Sequence, residues 1–156
     1  MAKVTQGSHK DRHYWLLKSD ADTFSWDDLW KAPGRTTHWD GVRNFQARNY
    51  LRDEMKKGDL AFFYHTGDEK QVVGIVEIIK EAYKDPTDEK GVFVCVDTKA
   101  VEPLKAPVAL GAIKAEPKLK GMVLAREPRL SVQAVTDEEW KIVCKMGGVK
   151  GSQPSP

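Results

Sequence analysis

Residues 60–65 read Leu-Ala-Phe-Phe-Tyr-His, and after Thr66-Gly67-Asp68 the chain resumes with Gln71 to Ile79, carrying the run VVGIVEII. Aromatic and β-branched residues in two short runs, separated by turn residues, specify a pair of strands. The hairpin Phe63–Val76 is the most constraining feature of the chain. A period of two places Leu60, Phe62 and Tyr64 on one face of the first strand and Ala61, Phe63 and His65 on the other. Gly74, inside the second strand, predicts a bulge.

Other elements follow around this pair. Tyr14-Trp-Leu-Leu17 is a short apolar run halted by Lys18-Ser19-Asp20, which predicts a buried first strand opening into a polar loop. Ser25 with Asp28 outlines a capping box for a short helix holding Trp26, Leu29 and Trp30. Residues 31–37, with Pro33-Gly34, read as loop. From Val42 the apolar positions Val42, Phe45, Leu51 and Met55 recur at helical spacing, and Gly58 supplies the stop. Gly91 to Asp97 is a third β-rich run. Beyond it lies a stretch broken by Pro103, Pro107 and Pro117, with short helical candidates at Leu110–Lys114 and Lys118–Leu124. Arg129 to Val135 alternates as a last strand. Thr136 and Glu139 then form a capping box for a helix burying Trp140, Val143 and Cys144 and stopping at Gly147. Several β-runs divided by short helices, without regular strand–helix alternation, predict an α+β fold built on a small, strongly bent antiparallel sheet or barrel.

A chain of 156 residues suits one domain. We expect a flexible lead-in over 1–12, a domain over 13–146 and a disordered Gly/Ser/Pro-rich tail over 147–156. A net charge of +2 does not by itself argue for a polyanionic partner. The charge is uneven, however. Asp20, Asp22, Asp27 and Asp28 are followed by Arg43, Arg48, Arg52, Lys56 and Lys57, a stripe that could meet phosphates or simply face solvent. Cys95 and Cys144 form no CxxC pair, the N-terminus carries no apolar leader core, and no apolar run reaches the ~20 residues of a membrane helix. These features together predict a soluble, reduced, cytoplasmic protein.

The chemistry on offer is that of recognition rather than turnover. His9, His13, His38 and His65 are scattered outside any metal-ligand spacing, so no metal site is expected, and no phosphate-loop or dinucleotide motif implies a cofactor. Ser19 and Ser131 lack a nucleophile elbow, and the paired carboxylates 27–28 and 138–139 sit where helix starts favour negative charge. No catalytic residue is therefore assigned. Trp15, Trp30 and Trp140 read as core. Trp39, Trp26 and Tyr64 can supply flat faces to a planar base, Asn44 a donor and an acceptor, and Lys18, Arg43 and Arg48 a phosphate clamp.

Five blocks carry a family resemblance: YWLLKSD at 14–20, SWDDLW at 25–30, HWDGVRNFQARNYLRDEMKKGDLAFFYHT at 38–66, VVGIVEIIKEAYKDPT at 72–87 and RLSVQAV at 129–135. They resemble the EVE domain, from His13 to about Met146. The resemblance implies a PUA-like fold related to the YTH domains: a bent mixed or antiparallel β-barrel with short peripheral helices. It also implies a pocket for a modified nucleobase, methylated or hydroxymethylated, in DNA or RNA. Carried over by position, Trp39 is a cage wall at a loop–helix junction. Lys18, Ser19 and Asp20 line the end of the first strand. Trp26, Arg43, Asn44, Tyr64 and His65 complete the rim, with Ser131 from the last strand. The expected function is a non-catalytic reader of such a base. Two alternatives stay open: a small enzyme acting on a nucleotide-like ligand with His65 as acid–base group, and a protein-interaction module.

Overall fold

A computed structural model describes residues 13–151. Residues 1–12 and 152–156, the expected lead-in and the end of the expected tail, lie outside the described residues. Of the remaining tail positions, Gly147 and Gly151 are buried and bonded into the domain. Trp140 Nε1 donates to the carbonyl of Gly151 at 3.2 Å, and Ala106 N to that of Gly147 at 3.1 Å.

Six strands form one mixed sheet: β1 (Tyr14–Asp20), β2 (Thr36–Trp39), β3 (Leu60–Thr66), β4 (Gln71–Lys84), β5 (Val94–Ala109) and β6 (Val132–Val135), in the order β2-β5-β4-β3-β1-β6. β1 and β3 run parallel, with Leu16 opposite Phe62, and every other pairing is antiparallel. Among the described residues, five short α-helices lie around it: α1 (Trp26–Lys31), α2 (Phe45–Asn49), α3 (Leu110–Ala115), α4 (Val123–Arg126) and α5 (Asp137–Met146). The α+β, PUA-like expectation holds.

β3 is the hinge of the packing, and its two faces divide as its alternation requires. Ala61 and Phe63 join Trp15, Leu17, Trp26, Leu29 and Trp39 in one core. Leu60, Phe62 and Tyr64 join Leu16, Ile75, Trp140 and Val143 in the other. The hairpin pairs Phe63 with Gly74 and then Tyr64 with Val72, so the bulge falls at the glycine's neighbour. Gly74 itself is required by a close approach: a Cβ there would lie 2.5 Å from the Trp26 ring. Both capping boxes form, with Ser25 and Thr136 accepting from Asp28 N and Glu139 N.

Three expectations change. The stretch after Asp97 is not broken by its prolines; β5 continues through Pro103 and Pro107 to Ala109. Pro103 sits opposite Gly74 between two register shifts in β4–β5, and Pro107 falls in the stretch 104–107 that has no β4 partner; strand prolines are tolerated at such bulges. Residues 36–37, expected as loop, begin the edge strand β2, which pairs with β5 up to Trp39 opposite Val96. The helix expected from Val42 starts at Phe45, capped by Asn44, and its last turn widens at Tyr50–Glu54, where Met55 N reaches back to the carbonyl of Tyr50.

Candidate ligand-binding cleft

The polar end of β1 builds one wall of a cleft. Lys18, Ser19 and Asp20 stay in register with Tyr64, His65 and Thr66, and Lys18 N donates to the carbonyl of Ser131. Immediately beyond, the chain folds back. The Asp20 carbonyl accepts from Thr23 N and Phe24 N, and the Ser19 hydroxyl donates to the carbonyl of Phe24. The end of β2 supplies the opposite wall, residues 37–40. Between them lies a cavity of about 460 Å³, bordered by Lys18, Ser19, Asp20, Thr23, Phe24, Thr37, His38, Trp39 and Asp40. That size accommodates a nucleoside-sized ligand.

Trp39 borders this cleft but is only 7% exposed and belongs to the buried core, its ring edge-on to Phe63 with centroids 5.3 Å apart. Trp26 meets Phe63 in the same perpendicular manner at 5.5 Å and stacks on Trp30 at 5.8 Å. One phenyl ring thus props two indoles, a rigid arrangement worth about 0.5–1.5 kcal/mol per pair beyond burial.

The proposed site residues therefore separate. Trp39, Lys18, Ser19 and Asp20 share the cleft. Trp26, Tyr64, His65, Arg43, Asn44 and Ser131 do not border it. Trp26 is packed under Gly74, and its backbone N–H donates to His65 Nε2 at 3.0 Å. His65 is buried, and its Nδ1 faces Glu69 Oε1 at 2.9 Å, so both ring nitrogens have partners. Tyr64 points into the opposite core, where burial pushes its hydroxyl pKa up. Arg43 spans Asp85 at 3.1 Å and Thr87 at 2.9 Å. The Asn44 side-chain oxygen accepts from Ala47 N at 2.9 Å and so caps α2. Asn44 borders a second depression of about 380 Å³ with Gln46 and residues 127–130. Ser131 contributes its backbone carbonyl to Lys18, as above.

Asp85 anchors the chain between Trp39 and α2. Its fully buried carboxylate accepts from Gly41 N, Thr87 N, the Thr87 hydroxyl and Arg43. Burial alone would raise its pKa, yet these bonds outweigh it and hold the carboxyl at about 2. Lys18 is half-buried, its ammonium donating to the carbonyl of Pro128, and desolvation lowers its pKa.

His38 was not selected from sequence. It borders the cleft, and its Nδ1 lies 2.8 Å from Asp97 Oδ1, the same oxygen that accepts the Tyr83 hydroxyl. Recognising β2 as a strand would have exposed it, because Thr37, His38 and Trp39 then end one edge together. Among the described residues, no three His, Cys, Asp or Glu side chains converge to hold a metal, and no helix is long and apolar enough to cross a membrane.

A bent mixed sheet ringed by short helices, with a cleft at one end of its strands, defines an α+β domain of the PUA-like class. Within that class the chain belongs to the EVE domain family, whose model matches residues 13–146. Thymocyte nuclear protein 1 of Gallus gallus is 38% identical over 165 residues, covering 85% of this chain and 68% of that protein. A solution structure of a Rhodopseudomonas palustris protein superposes with a TM-score of 0.82 at 54% identity, covering 87% of this chain and 93% of that one. The human THYN1 protein, in a crystal structure with DNA containing 5-methylcytosine, superposes with a TM-score of 0.80 at 35% identity, covering 86% and 97%. The curated relatives from Gallus gallus and Homo sapiens are named as nuclear, which overturns the cytoplasmic expectation. Unpaired cysteines and a polar N-terminus suit either reduced compartment and never distinguished the two.

Proposed function

We propose that this domain is a non-catalytic reader of a modified base in a nucleic acid, with the cleft between β1 and β2 as the base pocket and DNA bearing 5-methylcytosine as the first ligand to test. The observation that carries the reading is a nucleoside-sized cleft that Trp39 borders together with the polar run Lys18-Ser19-Asp20. The methylcytosine DNA held by the human relative supports the choice of probe. The occupied ring nitrogens of His65 favour binding over acid–base turnover.

A buried methyl group contributes ~0.8 kcal/mol, about fourfold in affinity. Further selectivity must come from polar groups that a wrong base would leave unpaired. We assign that role to Asp20, and to Ser19 as an acceptor, because its hydroxyl proton is given to the carbonyl of Phe24. The test is a Trp-fluorescence titration with matched methylated, hydroxymethylated and unmodified oligonucleotides, in DNA and RNA. Wild type is expected to favour a modified oligonucleotide at least fourfold, with affinity falling as salt rises. Trp39→Ala is expected to weaken binding by roughly 10- to 100-fold, the loss of one stacking face. Equal affinity for modified and unmodified strands, or a Trp39→Ala variant that binds like wild type, sinks the proposal.

A further inference from the structure

Phe45 is 59% exposed, and Val92, at 39%, is its only companion among the large exposed hydrophobics of the described residues. Both belong to one surface. Phe45 leans on Phe93, centroids 5.2 Å apart at 32°. Two guanidiniums lie against the pair: Arg48 over Phe45 at 4.9 Å and Arg43 over Phe93 at 5.3 Å. Arg43 is neutralised by Asp85, whereas Arg48 bonds to the Asn49 side chain and the carbonyl of Val92, with no carboxylate in salt-bridge range among the described residues. Asp88, one of three acids in this loop with Asp85 and Glu89, turns its carboxylate onto the amides of Lys90, Val92 and Phe93 and so shapes the loop that presents Phe93.

We infer that Phe45, Phe93 and Arg48 form a second nucleic-acid contact, a stacking platform for a base flanking the one in the cleft. An exposed phenyl ring beside a guanidinium outside any salt bridge matches a nucleotide strand in both parts: the ring takes an unstacked base, the cation a neighbouring phosphate. A protein surface would meet both groups only where an apolar side chain and a carboxylate lie side by side, whereas a strand sets a phosphate beside every base. Reach agrees as well. Trp39 and Phe45 are six positions apart, which limits their separation to about 20 Å. At 3.4 Å per nucleotide along a strand, the platform meets a base within about six nucleotides of the modified one. The segment between is not slack, since Gly41 and Arg43 are pinned to Asp85.

The inference rests on the reading of the cleft as a base pocket, and one experiment separates the two. Wild type, Phe45→Ala, Phe45→Trp and Arg48→Gln are titrated with 5-methyl-2′-deoxycytidine and with a single-stranded DNA of about a dozen nucleotides carrying one 5-methylcytosine. Because Phe45 is exposed, its substitution leaves folding intact, which thermal unfolding verifies. Phe45→Ala should weaken the oligonucleotide roughly 5- to 100-fold and leave the nucleoside within about twofold. Phe45→Trp should restore wild-type oligonucleotide affinity. Arg48→Gln should flatten the salt dependence by about one phosphate contact. Equal oligonucleotide affinity in wild type and Phe45→Ala overturns the platform, as does an equal loss for nucleoside and oligonucleotide. An oligonucleotide affinity that ignores the methyl group but still drops in Phe45→Ala overturns the base reading and leaves the platform standing. Wild type that binds neither ligand overturns both.

Discussion

Gly74→Ala adds one methyl group at a place with no room for it. The new carbon would sit 2.5, 2.6 and 2.7 Å from three atoms of the Trp26 six-membered ring, so the ring must retreat by about 1 Å to restore ordinary contact. Trp26 has nowhere to go: Trp30 stacks on it, Phe63 meets it edge-on, and its own backbone N–H is bonded to His65. Gly74 does not have a positive φ, so alanine incurs no backbone strain and the whole effect comes from overpacking. Overpacking a core costs about 1–3 kcal/mol, and a rigid indole puts this site near the top, about 2–3 kcal/mol. For a chain of this size that lowers Tm by roughly 4–12 °C. Urea unfolding should show a lower midpoint at unchanged slope. The decisive measurement is the double-mutant cycle with Trp26→Ala. That substitution alone costs about 3–5 kcal/mol, and in its background the added methyl should cost nothing, since the clash is gone. If Gly74→Ala destabilises equally in both backgrounds, the indole is not the reason for the glycine, and the argument for a locked Trp26–Phe63–Trp39 group weakens with it.

Two further outcomes follow from the loop that joins the cleft to α2. The Asp85 carboxyl sits near 2, below its ordinary value of 3.8, so the folded state favours the ionised form; the resulting stability, roughly 2 kcal/mol, is fully present above about pH 4 and is lost as pH falls toward 2. Comparing urea midpoints of wild type and Asp85→Asn across this window should show a shallower acid loss in the variant, and parallel curves would refute the assignment. Asn44→Asp keeps an oxygen for Ala47 N and adds negative charge at a helix start, so stability should hold, whereas Asn44→Ala should lose about 1 kcal/mol. A comparable loss in Asn44→Asp would show that the amide, rather than the capping oxygen, is what the site requires.

Local chemistry made much of this fold legible. The alternation of residues 60–65 assigned both faces of β3, and Ser25–Asp28 and Thr136–Glu139 each marked a helix start. What stayed hidden depends on pairing at long range. β5 passes two prolines because β4 shifts register beside it, and nothing within residues 98–109 announces that partner. β2 is four residues long and is a strand only because β5 lies alongside. The cleft was readable where its residues were contiguous, at 18–20 and at Trp39. It was misjudged where side-chain direction decides. Tyr64 faces the opposite core from Trp39, as its own alternation already implied, and Asn44 is oriented by the helix it starts.

The position of β1 in the sheet has a consequence for the protein's synthesis. This strand is made first, but one of its edges stays open until Val132–Val135 arrive, roughly 110 residues later, which at ribosomal speeds of ~5–20 residues per second is on the order of ten seconds. During that interval its unsatisfied amides and carbonyls are a template for a neighbouring nascent chain. A truncation that stops short of Val132 makes that exposure permanent, and such a product should accumulate as aggregate rather than as a smaller folded domain.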